Sequence, residues 1–352
     1  MMKMHKIAVI GGDGIGPEVI EESIRIVDAA GKKHGAQFDW QRLPWSSENY
    51  KKTGHMVPPG GWELLQQHDA IFFGAVGSPD VPETVTVHGL LLPMRRKFDQ
   101  YVNLRPAYLY EGVPSPLKDK APGSIDFLVF RENTEGEYAP IGGRIYEGMD
   151  ADTAVQVSLF TRRGCDRILR AAFEAARKRK KILTSITKSN ALTYGLGLWD
   201  DVANAVAKDY PDVKLRHLLV DAAAMDFVRK PETFDVVVAS NLFGDILTDL
   251  SAMVTGSVGL ASSANINPEK KFPSMFEPVH GSAPDIAGKG IANPLAAVLS
   301  SALMLDHLRE ESCAAAIRQA VAQVLKEGKT MPPDLGGKSK TREVADAVLA
   351  AL

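Results

Sequence analysis

The chain has 352 residues, 45% of them hydrophobic and 24% charged, with a formal net charge of −2. That is enough apolar material for one or two sizeable cores, with no compositional sign of disorder, and the slightly acidic balance offers a nucleic acid no overall attraction. Cys165 and Cys313 are the whole cysteine complement, which argues against a disulfide framework and for a reducing cytoplasm.

The N-terminal MMKMHK leads into an apolar stretch too short for a signal peptide or a bilayer span, so neither a targeting segment nor a membrane partner is expected. KIAVIG reads as a strand and GPEVIEESIRIVDAAGKKHG as a helix. Pro17, Glu18, Glu21 and Glu22 mark the start of that helix, because proline lacks an N–H where none is needed and the acids complement the dipole. Between strand and helix, GGDGIG comes close to the G-x-G-x-x-G dinucleotide fingerprint. Counting from Gly12, however, puts Pro17 at the last glycine, and counting from Gly11 puts Asp13 at the second. Further along, DAIFFGAVG, IDFLVFREN, KILTSIT, KLRHLLVD and FDVVVAS read as strands, and GCDRILRAAFEAARKRK as a helix that ends in the solvated basic run at 177–181. The alternation predicts an α/β chain with much parallel pairing. GGKS at 336–339 is no P-loop, since Pro332 stands where the first glycine belongs.

Residues able to carry chemistry follow the same order. PETVTVHGLLLPM at 82–94 leads into Arg95, with the polar His88 and the apolar Leu90, Leu91 and Leu92 as candidate pocket lining. FDQYVNLRP brings Arg105, FRENTEGEY brings Arg131 and Tyr138, TKSNA brings Lys188, and LRHLLVD ends in Asp221. In NLFGDILTDL the four-residue spacing puts Asp245 and Asp249 on one helix face after the buried strand VVVAS. Three carboxylates converging at strand ends would make a hard oxygen site for Mg²⁺ or Mn²⁺, and the lack of an accompanying His or Cys disfavours zinc. An isolated D-x-x-x-D also reads as a solvated helix face. Last comes FEPVHGSAPDIAGKGIANP at 276–294, whose glycines at 281, 288 and 290 suit close backbone approach to phosphate or sugar.

Taken together and in this order, the blocks from KIAVIGGDGIGPEV at 6–19 to DLGGKSKTREVADAV at 334–348 resemble the isocitrate and isopropylmalate dehydrogenase family. These are metal-dependent decarboxylating dehydrogenases of 2-hydroxy acids. FDQYVNLRP, RENTEGEY and INPEKKFPSMFEPVHGSAPDI are most similar to the branch that holds tartrate dehydrogenases and decarboxylating D-malate dehydrogenases. The resemblance implies an α/β, isopropylmalate dehydrogenase-like two-domain fold with parallel and mixed sheets, not a classical Rossmann fold. Residues 1–100 and 255–352 would form a large domain with the cofactor loop, and 101–254 an inserted domain with metal ligands and dimer contacts.

The resemblance also implies roles. Lys188 would be the base and Tyr138 the acid. Arg95, Arg105, Arg131 and Asp221 would bind a hydroxy-dicarboxylate, the arginines because their planar fork matches a carboxylate. Asp221, Asp245 and Asp249 would hold Mg²⁺ or Mn²⁺, and Lys188 and Asp221 would reach into the neighbouring site of a homodimer. His280, Gly281, Ser282 and Ala283 would form the adenosine loop, with Ile15, Glu277 and Asn293 as further cofactor contacts. Asp285 favours NAD over NADP, because a carboxylate accepts from both ribose hydroxyls and repels a 2′-phosphate. D-malate or tartrate is the expected substrate and 3-isopropylmalate the alternative. A catalytically silent regulatory or binding subunit is a second alternative, at odds with a chain that keeps Tyr138, Lys188 and all three aspartates.

Overall fold

A computed structural model describes residues 4–352, which divide into two compact units. The first takes the chain up to Gln100, then 105–125, then everything from Ser251 on; the second takes 101–104 and 126–250. Residues 105–125, expected in the inserted segment, cluster with the first unit because Val113 packs in its core beside Leu260 and Leu325, and Ser115 Oγ donates to Val254 O at 2.7 Å.

In the first unit, strand Met4–Gly12 pairs in parallel with Gln37–Arg42 on one side and Ala70–Ala75 on the other. Ser274–Pro278 lies parallel to Ala70–Ala75, and Ser262–Ile266 runs antiparallel to Ser274–Pro278. Every residue of AIFFGA is buried, as expected of a parallel strand covered on both faces, and this is why the run carries no polar alternation. Helices Gly16–His34, Leu295–His307, Glu311–Glu327 and Thr341–Ala351 share a core that includes Ile26, Val298, Ile317 and Val348. Leu295–His307 is buried on nearly all sides, so its sequence shows no polar stripe. The 82–94 segment is helical, with a π-helical turn at Val87–Leu91. There Leu90 is fully buried against Phe73, Met94 and Phe98, whereas His88 is exposed. Leu90 therefore packs the core, leaving fewer leucines for a pocket.

In the second unit four parallel strands run in the order Asp126–Glu132, Val236–Ala239, Ile182–Thr187, Lys214–Leu219. Helices Arg162–Arg177 and Gly195–Ala207 pack on them, and the fully buried Trp199 donates its indole N–H to Ser185 Oγ at 2.9 Å. Phe127, Phe227 and Phe234 form an aromatic trio with centroids 4.6–5.8 Å apart. A separate antiparallel hairpin, Gly142–Ile145 with Thr153–Gln156, is exposed along both strands. Among the described residues no helix is long and apolar enough to cross a membrane.

Candidate active site

The second unit gathers its reactive side chains at the carboxyl ends of the parallel strands, where α/β sheets place their ligands. Arg131 closes strand Asp126–Glu132, Lys188 follows Ile182–Thr187, Asp221 follows Lys214–Leu219, and Asp245 sits on the helix after Val236–Ala239. That helix, Asn241–Val254, is anchored at its start by Glu137, which accepts from Ser240 Oγ at 2.8 Å and Leu242 N–H at 3.0 Å. Arg131 is 1% exposed. It donates Nε and Nη2 to Asn241 Oδ1 at 3.0 and 2.7 Å, and Nη1 to Asp245. The helix can pass this close only because residue 244 is glycine; a Cβ there would lie 2.6 Å from Arg131 Cβ.

Tyr138 donates its hydroxyl to Asp245 Oδ2 at 2.8 Å, and its ring centroid is 5.4 Å from the Arg131 guanidinium carbon, within cation–π reach. One carboxylate thus serves a buried cation and a phenol together. Lys188 Nζ donates to Asp221 Oδ1 at 2.8 Å, and that hydrogen bond holds the Asp221 carboxyl below its usual pKa. Asp221 and Asp249 are exposed.

The expected convergence of three carboxylates does not occur within one chain. No group of three His, Cys, Asp or Glu side chains placed to hold a metal ion is present among the described residues. Asp221 is engaged with Lys188, while Asp245 and Asp249 share a helix four residues apart. This pair of hard oxygen donors fits part of a Mg²⁺ or Mn²⁺ site, with further donors still to be supplied.

In the first unit Ser282, expected in the cofactor loop, meets the glycine-rich N-terminal turn. Ile15 N–H donates to Ser282 O at 2.8 Å. A Cβ on Gly12 would sit 1.8 Å from Ala75 O, and one on Gly14 would sit 1.9 Å from Ser282 O; both have positive φ. The glycines that imitate a dinucleotide fingerprint are therefore required for packing this turn against Ala75 and Ser282. Asp13, buried between them, accepts from Ser47 N–H at 2.8 Å, Ser47 Oγ at 2.6 Å and Gly77 N–H at 2.9 Å.

Beyond the turn, His280 places Nδ1 3.0 Å from Gly281 O, while its buried Nε2 has no hydrogen-bond partner among the described residues. Burial pushes the His280 pKa down, so the imidazole is neutral at neutral pH with one polar atom open to a ligand. Ala283 has φ 42, and Gly288 and Gly290 have positive φ, shaping the turn that exposes Asp285. An orphaned buried nitrogen, an exposed carboxylate and a bare glycine backbone fit the adenosine end of a dinucleotide. Asn293 is otherwise occupied: Nδ2 donates to Asp334 at 3.0 Å and Oδ1 accepts from Leu295 N–H at 3.0 Å.

Of the expected substrate arginines, Arg95 and Arg105 are buried in the first unit. Arg95 donates Nη2 to Glu277 at 3.0 Å, and Asn265 donates to the same Glu277 oxygen at 2.7 Å. Arg95 Nε is buried without a hydrogen-bond partner among the described residues, which leaves a donor for an incoming carboxylate. Glu277, expected as a cofactor contact, is the partner that fixes Arg95.

Asn241, Glu137, Asp13 and Asp334 were not foreseen as site supports. Asp13 stood in plain view inside GGDGIG. Asp334, which ties Asn293 to Ser257, carries no local signal of that task.

A parallel-sheet unit with a tyrosine, a lysine and carboxylates at its strand ends, joined in one chain to a unit with a glycine-rich turn, is a layout found in α/β oxidoreductases. The fold matches the crystal structure of isocitrate dehydrogenase from Methylococcus capsulatus with a TM-score of 0.88 at 36% identity, covering 99% of both chains. Among characterised sequences, the chain is 51% identical to D-malate dehydrogenase [decarboxylating] of Escherichia coli K12, covering 99% of this chain and 98% of that one. It is 48% identical to tartrate dehydrogenase/decarboxylase of Pseudomonas putida, covering 97% and 96%. Residues 6–348 match the family described as isocitrate/isopropylmalate dehydrogenase, and the chain belongs to that family of oxidoreductases.

Proposed function

We propose that the chain oxidises a 2-hydroxy dicarboxylic acid, D-malate or tartrate, with NAD and a divalent metal, and decarboxylates the product. The cluster of Arg131, Asp245 and Tyr138 carries this reading, because it joins a carboxylate-binding cation, a metal-type donor and a proton donor within hydrogen-bond distance. Support for the substrate class comes from the names of the Escherichia coli and Pseudomonas putida relatives.

The residues divide the work as follows. Arg131 pairs with a substrate carboxylate and helps fix the C2–H bond for transfer, the same task that the family resemblance implies for Arg95 and Arg105. Lys188 takes the hydroxyl proton as hydride leaves C2, and the resulting 2-keto acid expels CO₂ from C3. Tyr138 then delivers its proton to C3, with Asp245 orienting the hydroxyl. Asp245 and Asp249 would hold part of the metal's coordination and the 280–285 loop the dinucleotide, which when bound would supply polarisation of the C2 oxygen, neutralisation of the charge left by CO₂ loss, and a hydride acceptor.

A second copy completes this reading. Met225 is 62% exposed on helix Val220–Arg229, and Ile246 is 59% exposed on Asn241–Val254. Such exposed apolar side chains suit a symmetric interface. Across it, Asp221 and Lys188 would serve the partner's site, which accounts for their separation from Asp245 and Asp249 within one chain.

Side-by-side kinetics at saturating NAD and matched metal test the substrate. D-malate is expected to give pyruvate and CO₂ with a higher kcat/KM than 3-isopropylmalate, since Leu90 is committed to the core and His88 is polar. A preference of about tenfold or more for 3-isopropylmalate would reassign the substrate. For the cofactor, Asp285→Lys is expected to move the NAD/NADP preference at least about tenfold toward NADP, by removing a repulsion and supplying a phosphate partner. Wild-type preference for NADP would mean that Asp285 does not face the ribose.

A further inference from the structure

The first unit holds a basic cavity of about 340 Å³ that no part of the proposed reaction uses. Its lining includes His68, Lys270, Lys271, Phe272, His307 and Arg309. It lies at the beginning of the strands whose far ends lead to the cofactor loop: Asp69 immediately precedes Ala70–Ala75, and Pro273 immediately precedes Ser274–Pro278.

Three cations face one carboxylate, Asp69, whose Oδ2 accepts from Lys6 N–H at 2.9 Å. Lys270 Nζ donates to His307 O, at the end of helix Leu295–His307. The side chains of Lys271 and Arg309 make no ion pair among the described residues, so their charge is uncommitted. Burial, reinforced by the Lys270 charge, lowers the His307 pKa to about 4, so at neutral pH this imidazole offers a neutral N–H.

The cavity wall is also fastened to the substrate arginine. Gln100 Nε2 donates to Pro273 O at 2.8 Å, and Asn267 Nδ2 donates to Asp99 O at 3.0 Å while its Oδ1 accepts from Lys271 N–H at 2.9 Å. Gln100 N–H in turn bonds Arg95 O at 2.8 Å. These bonds tie the 267–273 loop to the helix that carries Arg95.

We propose that this cavity is a regulatory site for a small polyanion, a metabolite bearing two or more phosphate or carboxylate groups. Lys271 and Arg309 supply its charge, His307 a hydrogen bond, and Phe272 an apolar wall, while His68, bonded through both ring nitrogens to Leu64 O and Gln41 Oε1, only lines the cavity. Occupancy would act on substrate affinity through the loop and Arg95.

The test uses the intact enzyme and two probes, pyrophosphate for the phosphate class and tricarballylate for the carboxylate class. Binding is measured by calorimetry in metal-free buffer on wild type and on the double variant Lys271→Ala/Arg309→Ala. At least one probe is expected to bind wild type saturably and the double variant at least about tenfold more weakly, with basal kcat and thermal midpoint unchanged by the substitutions. Kinetics at constant free metal should then show the hydroxy-acid KM shifting with the probe in wild type only. Equal binding to both proteins would place the anion elsewhere, for instance on the substrate arginines, and would overturn the site. Absence of binding by both probes would do the same. Binding to the cavity with no change in KM would overturn its regulatory role.

Discussion

Asp245→Asn is expected to lower kcat by about 10²–10³ and to weaken Mg²⁺ or Mn²⁺ activation, with the fold intact. An asparagine oxygen can still accept from Arg131 Nη1, and Asn241 keeps its two bonds to the guanidinium, so the buried cation is not stranded. The Asp245 side chain is 32% exposed, so the stability loss should fall well short of the ~3–5 kcal/mol of a fully buried broken pair. What changes is the other oxygen. The Asp245 carboxylate accepts the Tyr138 proton, whereas an amide nitrogen at that position could only donate to the phenol, turning its proton away from the orientation the carboxylate imposes. Turnover, metal titration and urea unfolding on the same preparation separate these effects. Full activity of the variant, or of wild type in excess chelator, would remove Asp245 from the chemistry and metal dependence from the mechanism.

Lys188→Met and Tyr138→Phe should each cost about 10²–10⁴ in overall turnover but fail at different steps. Lys188→Met stops hydroxyl oxidation. Tyr138→Phe chiefly slows proton delivery after CO₂ loss, leaving redox activity on a keto acid that needs no such proton. Both side chains are only partly buried, so loss of the fold is not expected to confuse the comparison. Mixing the two inactive proteins tests the shared site directly. If Lys188 serves the partner, a mixed dimer has one intact site and one doubly defective site, and random exchange at equal amounts should restore about a quarter of wild-type activity. If each copy uses its own Lys188, mixing restores nothing, and the separation of Asp221 from Asp245 needs another explanation.

The buried parallel strands were legible in the sequence because burial on both faces leaves a continuous apolar signature, as in AIFFGA and VVVA. Gln37–Arg42 gives no strand signal because it is largely exposed and polar, and Ser262–Ile266 gives none because small residues pairing with distant partners leave little periodic trace. Leu295–His307 hid for the opposite reason: a helix buried nearly all round has no polar face to set its period. The site divided in the same way. Lys188, Tyr138 and the aspartates stand in blocks that can be read locally. The bond from Arg131 to Asn241 joins residues 110 positions apart, and no spacing rule reaches that far. Locally, Asp13 reads only as the residue that spoils a glycine motif, although its three hydrogen bonds explain why an acid belongs there.

The first unit is built from chain pieces made early and late, and this sets a timetable for synthesis. Ala70–Ala75, buried along its whole length, pairs on one side with Met4–Gly12 but on the other with Ser274–Pro278, which leaves the ribosome about 200 residues later. At roughly 5–20 residues per second that is a wait of about 10–40 s. Meanwhile 126–250 has all four of its parallel strands and can close first. The nascent chain therefore holds an apolar strand edge open while a later segment folds, the condition that invites chaperone binding or aggregation. Slower elongation just after residue 250 would lengthen the exposure, and added chaperone should raise the yield of full-length enzyme more than that of a fragment limited to the second unit.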